Sequence, residues 1–207
     1  MREEHPRIGS VVSLVIRALC RARISILTVA ITYLVSTVIG IVMVHNGNQF
    51  AIAYRDKIIG EAQSSPILVA LHRNNRLEAA LLDFGGNLIA VCSNTLAGLG
   101  VIVPYPFMAY RGWIGGSVSL DGTHASRLAD PKEAVYYLTT LILQLIPSVL
   151  GGAAGVNVGL SYFRPKLYYQ GEKWLGLPKE ALRDALRIYI LVMPLLLIAS
   201  LWEFGMR

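Results

Sequence analysis

The chain has 207 residues, 54% of them hydrophobic and 15% charged, with a formal net charge of +6, where a charged share of about 25% is usual. The apolar residues come in long uncharged blocks and mean hydropathy is +0.52, which excludes a soluble globular enzyme, a disordered chain and a secreted disulfide scaffold. The composition is that of an all-α, polytopic helical membrane protein, one domain over 1–207. Its positive charge suits a cytoplasmic face held against the anionic lipid bilayer, with no nucleic acid as partner.

Residues 24–44 form an uncharged run of 21, which at about 1.5 Å per residue covers a hydrocarbon core of about 30 Å. They make a first spanning helix. It is retained, because the run is too long for a signal peptide and no A-x-A-like site follows. Ahead of it, 8–23 mixes apolar residues with Arg17, Arg21 and Arg23, and Arg7 stands just before. That pattern predicts an N-terminal amphipathic interfacial helix on the cytoplasmic leaflet. A cytoplasmic extension of the first span is the alternative.

Residues 45–81 form an outer helical loop, in which Ser64-Ser65-Pro66 marks a helix start. The helix it opens should run over 66–82 into a second span at 82–103. Pro104-Tyr105-Pro106 reads as the turn that ends this span. A short, Gly-rich third span follows at 107–120, carrying Arg111 and Trp113. The fourth span is 135–161, kinked at Pro147, and after an inner basic loop at 162–187 a fifth span runs over 187–205.

With the N-terminus in the cytoplasm, the inner segments carry 11 Lys or Arg and the outer ones 6. This bias fits about five transmembrane helices in a multi-pass protein of the cell (inner) membrane.

Catalytic motifs are missing: no H-E-x-x-H, G-x-S-x-G or phosphate loop is present. His5, His45, His72 and His124 are never three or four residues apart, so no helix offers two to a metal. Neither Cys20 nor Cys92 sits in a paired spacing. No catalytic, metal or cofactor site is expected, and the protein reads as non-enzymatic.

Two patterns remain. Small residues recur at helical steps: Ser148, Gly151, Gly152, Gly155 and Gly159 in the fourth span, Gly112 and Gly116 in the third. Such spacing lets helix backbones approach closely and predicts a tight pair of the third and fourth helices. Polar residues form a second pattern, a seam of Asn87, Asn94, Arg111, Gln144 and Asn157. Asn87 and Asn94, seven apart, share a helix face. Arg111 is expected near the cytoplasmic end of its segment, either snorkelling to headgroups or paired with Gln144 or Asn157. Span-end aromatics, Tyr168 and Trp202 among them, suit an interfacial belt.

Several short motifs point to a family. Asn74-Asn75 leads into Phe84-Gly-Gly-Asn87 and Asn94. Leu-Ile-Pro147 is followed by Gly-Gly-Ala-Ala-Gly155 and Gly159, and the chain closes on Leu-Leu-Leu-Ile-Ala-Ser-Leu-Trp-Glu203. This arrangement resembles the stage II sporulation protein M family of small polytopic membrane proteins. The family often has a His and an acid after the proline matching Pro147, where this chain has Ser148 and Gly151-Gly152. The resemblance implies a helical membrane protein without catalytic activity, similar to a scaffold that recruits cell-wall remodelling hydrolases.

Two functions are therefore expected. The first is a membrane scaffold or accessory subunit that assembles with other membrane or envelope proteins, or with copies of itself, through its glycine-lined helices and outer loop. The alternative is a subunit of a small-solute transporter or channel, with the polar seam lining its path.

Overall fold

The structure, a computed structural model, describes residues 8–164 and 169–205. Arg7, His5 and Tyr168 lie outside the described residues. Among the described residues, seven α-helices make up the fold: α1 (Ile8–His45), α2 (Gln49–Gln63), α3 (Pro66–His72), α4 (Arg76–Ala97), α5 (Pro104–Ser117), α6 (Pro131–Phe163) and α7 (Lys179–Gly205). A two-residue-per-strand hairpin, β1 (Lys173–Trp174) with β2 (Leu177–Pro178), sits inside the expected basic loop. The protein is a helical membrane protein in which α1, α4, α6 and α7 are long and apolar enough to cross a bilayer.

The expected interfacial helix is instead the first part of α1, one helix of 38 residues. The reason is a continuous packing stripe. Val15, Ala18, Ala22, Ser25, Val29, Tyr33, Thr37, Gly40 and Val44 are all buried, at the three- and four-residue steps of one helix face. Nothing changes at residue 23 to break the helix. Arg21, expected at the lipid surface, turns into the bundle and meets Asp184 of α7.

Around the outer loop, Ser65 caps α3 by accepting from the Leu68 N–H, as its sequence predicts. The helix does not continue to residue 82. It stops at His72, Asn74 takes φ 59°, and Asn75 caps α4 through the Glu78 N–H. Asparagine tolerates that left-handed conformation better than most residues. α2 precedes α3 and is held by Arg55, which is 1% exposed and donates to the Leu120 and Asp121 carbonyls.

The second span ends before the prolines. A 3₁₀ turn (Gly98–Gly100) and a tight bend at Val101, φ 64°, end α4, and Pro104 and Pro106 open α5. Proline suits the first helical turn, where its missing N–H has no partner to lose. The third segment is therefore a helix of 14 residues, about 21 Å long. It is shorter than the other four and lies along α1.

α6 is the central helix. Every residue from 147 to 159 is buried, as expected of a helix that is apolar all round. α7 starts at Lys179, earlier than the expected 187, because its first turns are amphipathic and place Glu180, Asp184 and Arg187 on one face. The helices alternate in direction. Arg21, Tyr169 and Asp184 mark one end of the bundle. His45, Arg55, Leu120 and Ser126 mark the other.

Candidate functional site

The small residues close the bundle from within, in pairs other than the expected one. On α5, a Cβ at Gly112 would collide with the Tyr33 carbonyl of α1, and one at Gly116 with the Thr37 carbonyl. Gly40 of α1 fits equally closely beneath the Trp113 carbonyl. On α6, Gly151 faces the Val91 side chain, Gly155 the Thr95 backbone, and Gly159 the carbonyls of Gly98 and Leu99. Gly152 faces Asn94, and Ser148, four residues before it on the same helix, is buried too. The predicted third–fourth pair is thus replaced by an α5–α1 pair and an α6–α4 pair. Small-residue spacing says that backbones meet and leaves open which helices do so.

The polar seam also divides. Asn94 is buried between α4 and α6, its amide nitrogen toward Gly152. Its neighbour Thr95 donates to the Gly151 carbonyl at 2.8 Å. Asn157 lies at the Asp184 end, donating to the Tyr169 hydroxyl at 2.7 Å. Asn87 and Asn94 do share a face, but seven residues separate them by about 10 Å in depth.

The remaining three line one cavity. Asn87, Arg111 and Gln144 face a crevice of about 400 Å³ between α4, α5 and α6, with Tyr33 of α1 at its floor. The crevice exists because α5 hugs α1 along its glycines and touches α4 and α6 only lightly. Arg111 donates to Asn87 Oδ1 at 2.8 Å, and its guanidinium lies 6.0 Å from the Phe107 ring centre. One helical turn before Asn87, the Asp83 carboxyl accepts from the Ser200 hydroxyl at 2.7 Å. Gln144 donates to Glu203 at 2.6 Å instead of pairing with Arg111.

Depth gives this cluster its interest. Gly112 lies against Tyr33. Tyr33 stands nine residues into the uncharged run 24–44, about 13 Å from its start. Arg111 is therefore level with the middle of that uncharged run and mid-way along α5, not near the end of its segment as the sequence alone suggests.

Three charged groups escaped the sequence reading. Asp83 opens the second span one helical turn before Asn87, and that spacing was the available signal. Asp184 has a fully buried side chain held by Arg21 at 2.8 Å and Arg187 at 2.8 Å, and Tyr169 donates to it at 3.0 Å. Burial above all pushes the Tyr169 hydroxyl up from its ordinary value, so it stays protonated and able to donate. The Asp184–Arg187 spacing of three was its signal. Arg55, buried at the other end beneath 118–121, had none. Among the described residues, no three metal-ligating side chains come together.

No family model matches the sequence, no curated protein matches it, and no solved structure matches the fold. The likeness to the stage II sporulation protein M family rests on its short motifs alone.

Proposed function

We propose that the chain crosses the cell membrane five times with its N-terminus in the cytoplasm, and acts through the mid-depth crevice as the binding subunit of a small-solute transporter or channel. The observation that carries this reading is Arg111. A charge near the bilayer centre costs about 2.5–3.5 kcal/mol on insertion scales. This one faces a cavity of about 400 Å³ with Asn87 as its hydrogen-bond partner. The non-helical stretch before α5 supports the same reading, since interrupted helices are common where membrane transporters hold their substrates.

The test is reconstitution into liposomes and transport of labelled phosphate, glutamate, glucose and a short-chain phosphatidic acid. Arg111→Gln and Asn87→Ala should abolish uptake of whichever solute crosses, with the detergent elution profile unchanged. Uptake equal to that of protein-free liposomes for all solutes, or unaltered in both variants, refutes the transport reading.

A non-enzymatic scaffold or accessory subunit is the second reading, and the family likeness favours it. Its contacts would lie on the outer layer, because the glycines are already closed by α1 and α4. Phe50, 66% exposed, packs beside Tyr54 and Trp113 there and offers an aromatic surface to a membrane or envelope protein or to a second copy of the chain. Recovery of a stoichiometric partner that is lost on Phe50→Ser would favour this reading.

A further inference from the structure

From the crevice's lining we infer its ligand: an amphipathic oxyanion, carrying a carboxylate or phosphate head on an acyl chain, that enters sideways from the bilayer and is held by Arg111. This deepens the transport reading and rests on it.

The head-binding group is a single cation. Among the described residues, Arg111 is the only basic side chain lining the cavity, and no acid lines it. Asp83, one helical turn from Asn87, is not among the lining residues and is held by Ser200 instead. A guanidinium has five N–H donors in a planar fork that suits carboxylate and phosphate. The Asn87 bond uses the Nη2 end, and the rest of the fork is free for an oxyanion. The Phe107 ring lies 6.0 Å from the guanidinium carbon, at the outer reach of a cation–π contact.

The walls set the rest of the ligand. Ala90, Phe107, Ile114 and Val118 are apolar, so a fully hydrated ion would be poorly matched over most of the surface. A volume of about 400 Å³ holds a head and the first carbons of a chain, with the remainder left outside. Tyr110 at the rim is 47% exposed and its hydroxyl meets that of Tyr54 on α2 at 2.9 Å. The rim therefore opens on the outside of the bundle beside α2, and Arg111 behind it lies level with the middle of the uncharged run of α1, which acyl chains surround in the proposed topology. An ion from water would have to cross that layer, whereas a lipid is already there.

Native mass spectrometry of the full chain in neutral maltoside detergent reads the binding. Oleate and dioleoyl phosphatidic acid should each add once and saturably, and oleyl alcohol and phosphatidylcholine should not. Arg111→Gln should weaken the oleate adduct at least tenfold. Val118→Trp, which fills the cavity and keeps the charge, should do the same, and the exposed Arg73→Gln should change nothing. Oleate adducts unchanged in both Arg111→Gln and Val118→Trp overturn the proposal. Sodium phosphate or acetate displacing oleate at equal concentration overturns the bilayer source while the solute reading stands. Absence of any saturable anion adduct overturns it too. Together with the lack of solute uptake in liposomes, that result removes the transport reading as well.

Discussion

Replacing single glycines by alanine separates the α5–α1 contact from its neighbours. At Gly112 and Gly116 the added Cβ meets backbone carbonyls of α1, which cannot rotate away. Each substitution must separate the two helices or bend one, and overpacking of this kind costs about 1–3 kcal/mol. At Gly115 the Cβ meets the end of the Leu141 side chain at 2.9 Å, which a rotamer change can relieve, so the loss should stay under about 1 kcal/mol. At Gly85 and Gly86 of α4 nothing lies within 4 Å. Alanine there gains helix propensity of up to about 1 kcal/mol. Reversible unfolding in bicelles, followed by tryptophan fluorescence, should rank Gly116→Ala and Gly112→Ala lowest, Gly115→Ala near wild type and Gly86→Ala at or above it. Had α5 packed chiefly on α6, Gly115→Ala would be the costliest of the five. That ranking, or a Gly86→Ala loss equal to that of Gly116→Ala, would refute the packing.

Further expectations are independent of the crevice or mark its limits. Asp184→Asn should cost about 3 kcal/mol, because it leaves Arg21 without its main buried partner. Glu180→Gln, whose side chain is 32% exposed, should cost less than about 1 kcal/mol; equal melting losses would contradict the central place given to Asp184. Asn94→Ala should leave solute uptake at its wild-type rate, since Asn94 lies outside the crevice, and a lost flux would move the site. Bonds from the Thr123 hydroxyl and then the Ala125 and Thr123 N–H groups hold the Asp121 carboxyl below the usual range. A depressed folded value means the stabilisation is present above the unfolded pKa of about 3.9 and is lost as pH falls through the lower folded value. Deuterium exchange over 121–127, corrected for intrinsic rate, should therefore hold steady from neutral pH and quicken only below that range. Loss of protection already at pH values above about 5 would rule this out.

Much of the fold was legible where one physical signal dominates. The uncharged run in α1 set a span by length, and Ser65-Pro66 set a helix start by capping. The end of α4 was misplaced because Pro104-Tyr105-Pro106 fits a turn or a first helical turn equally well, and only the bend at Val101 decides between them. That choice fixes where α5 starts and hence the depth of Arg111. The seam was half legible. Asn87, Arg111 and Gln144 are recognisable as costly polar residues in apolar surroundings, but their meeting depends on how three helices cross. Asp184 and Arg21 are 163 positions apart, and no local pattern joins them. The Asn74-Asn75 pair that contributes to the family likeness has a local role: one residue takes the left-handed turn and the other caps α4.

The central claim is that the Arg111 face of α5 lies near the middle of the membrane and opens to lipid. A spin label on Tyr110→Cys, one residue before Arg111 and at the rim of the crevice, measures this in reconstituted bilayers by power saturation. We expect high accessibility to oxygen, little to a water-soluble nickel chelate, and a depth about 15–20 Å below the phosphate plane, near the centre of a hydrocarbon core about 30 Å thick. A label relaxed by the nickel chelate as strongly as one at an exposed loop position would place Arg111 at the surface and contradict the account.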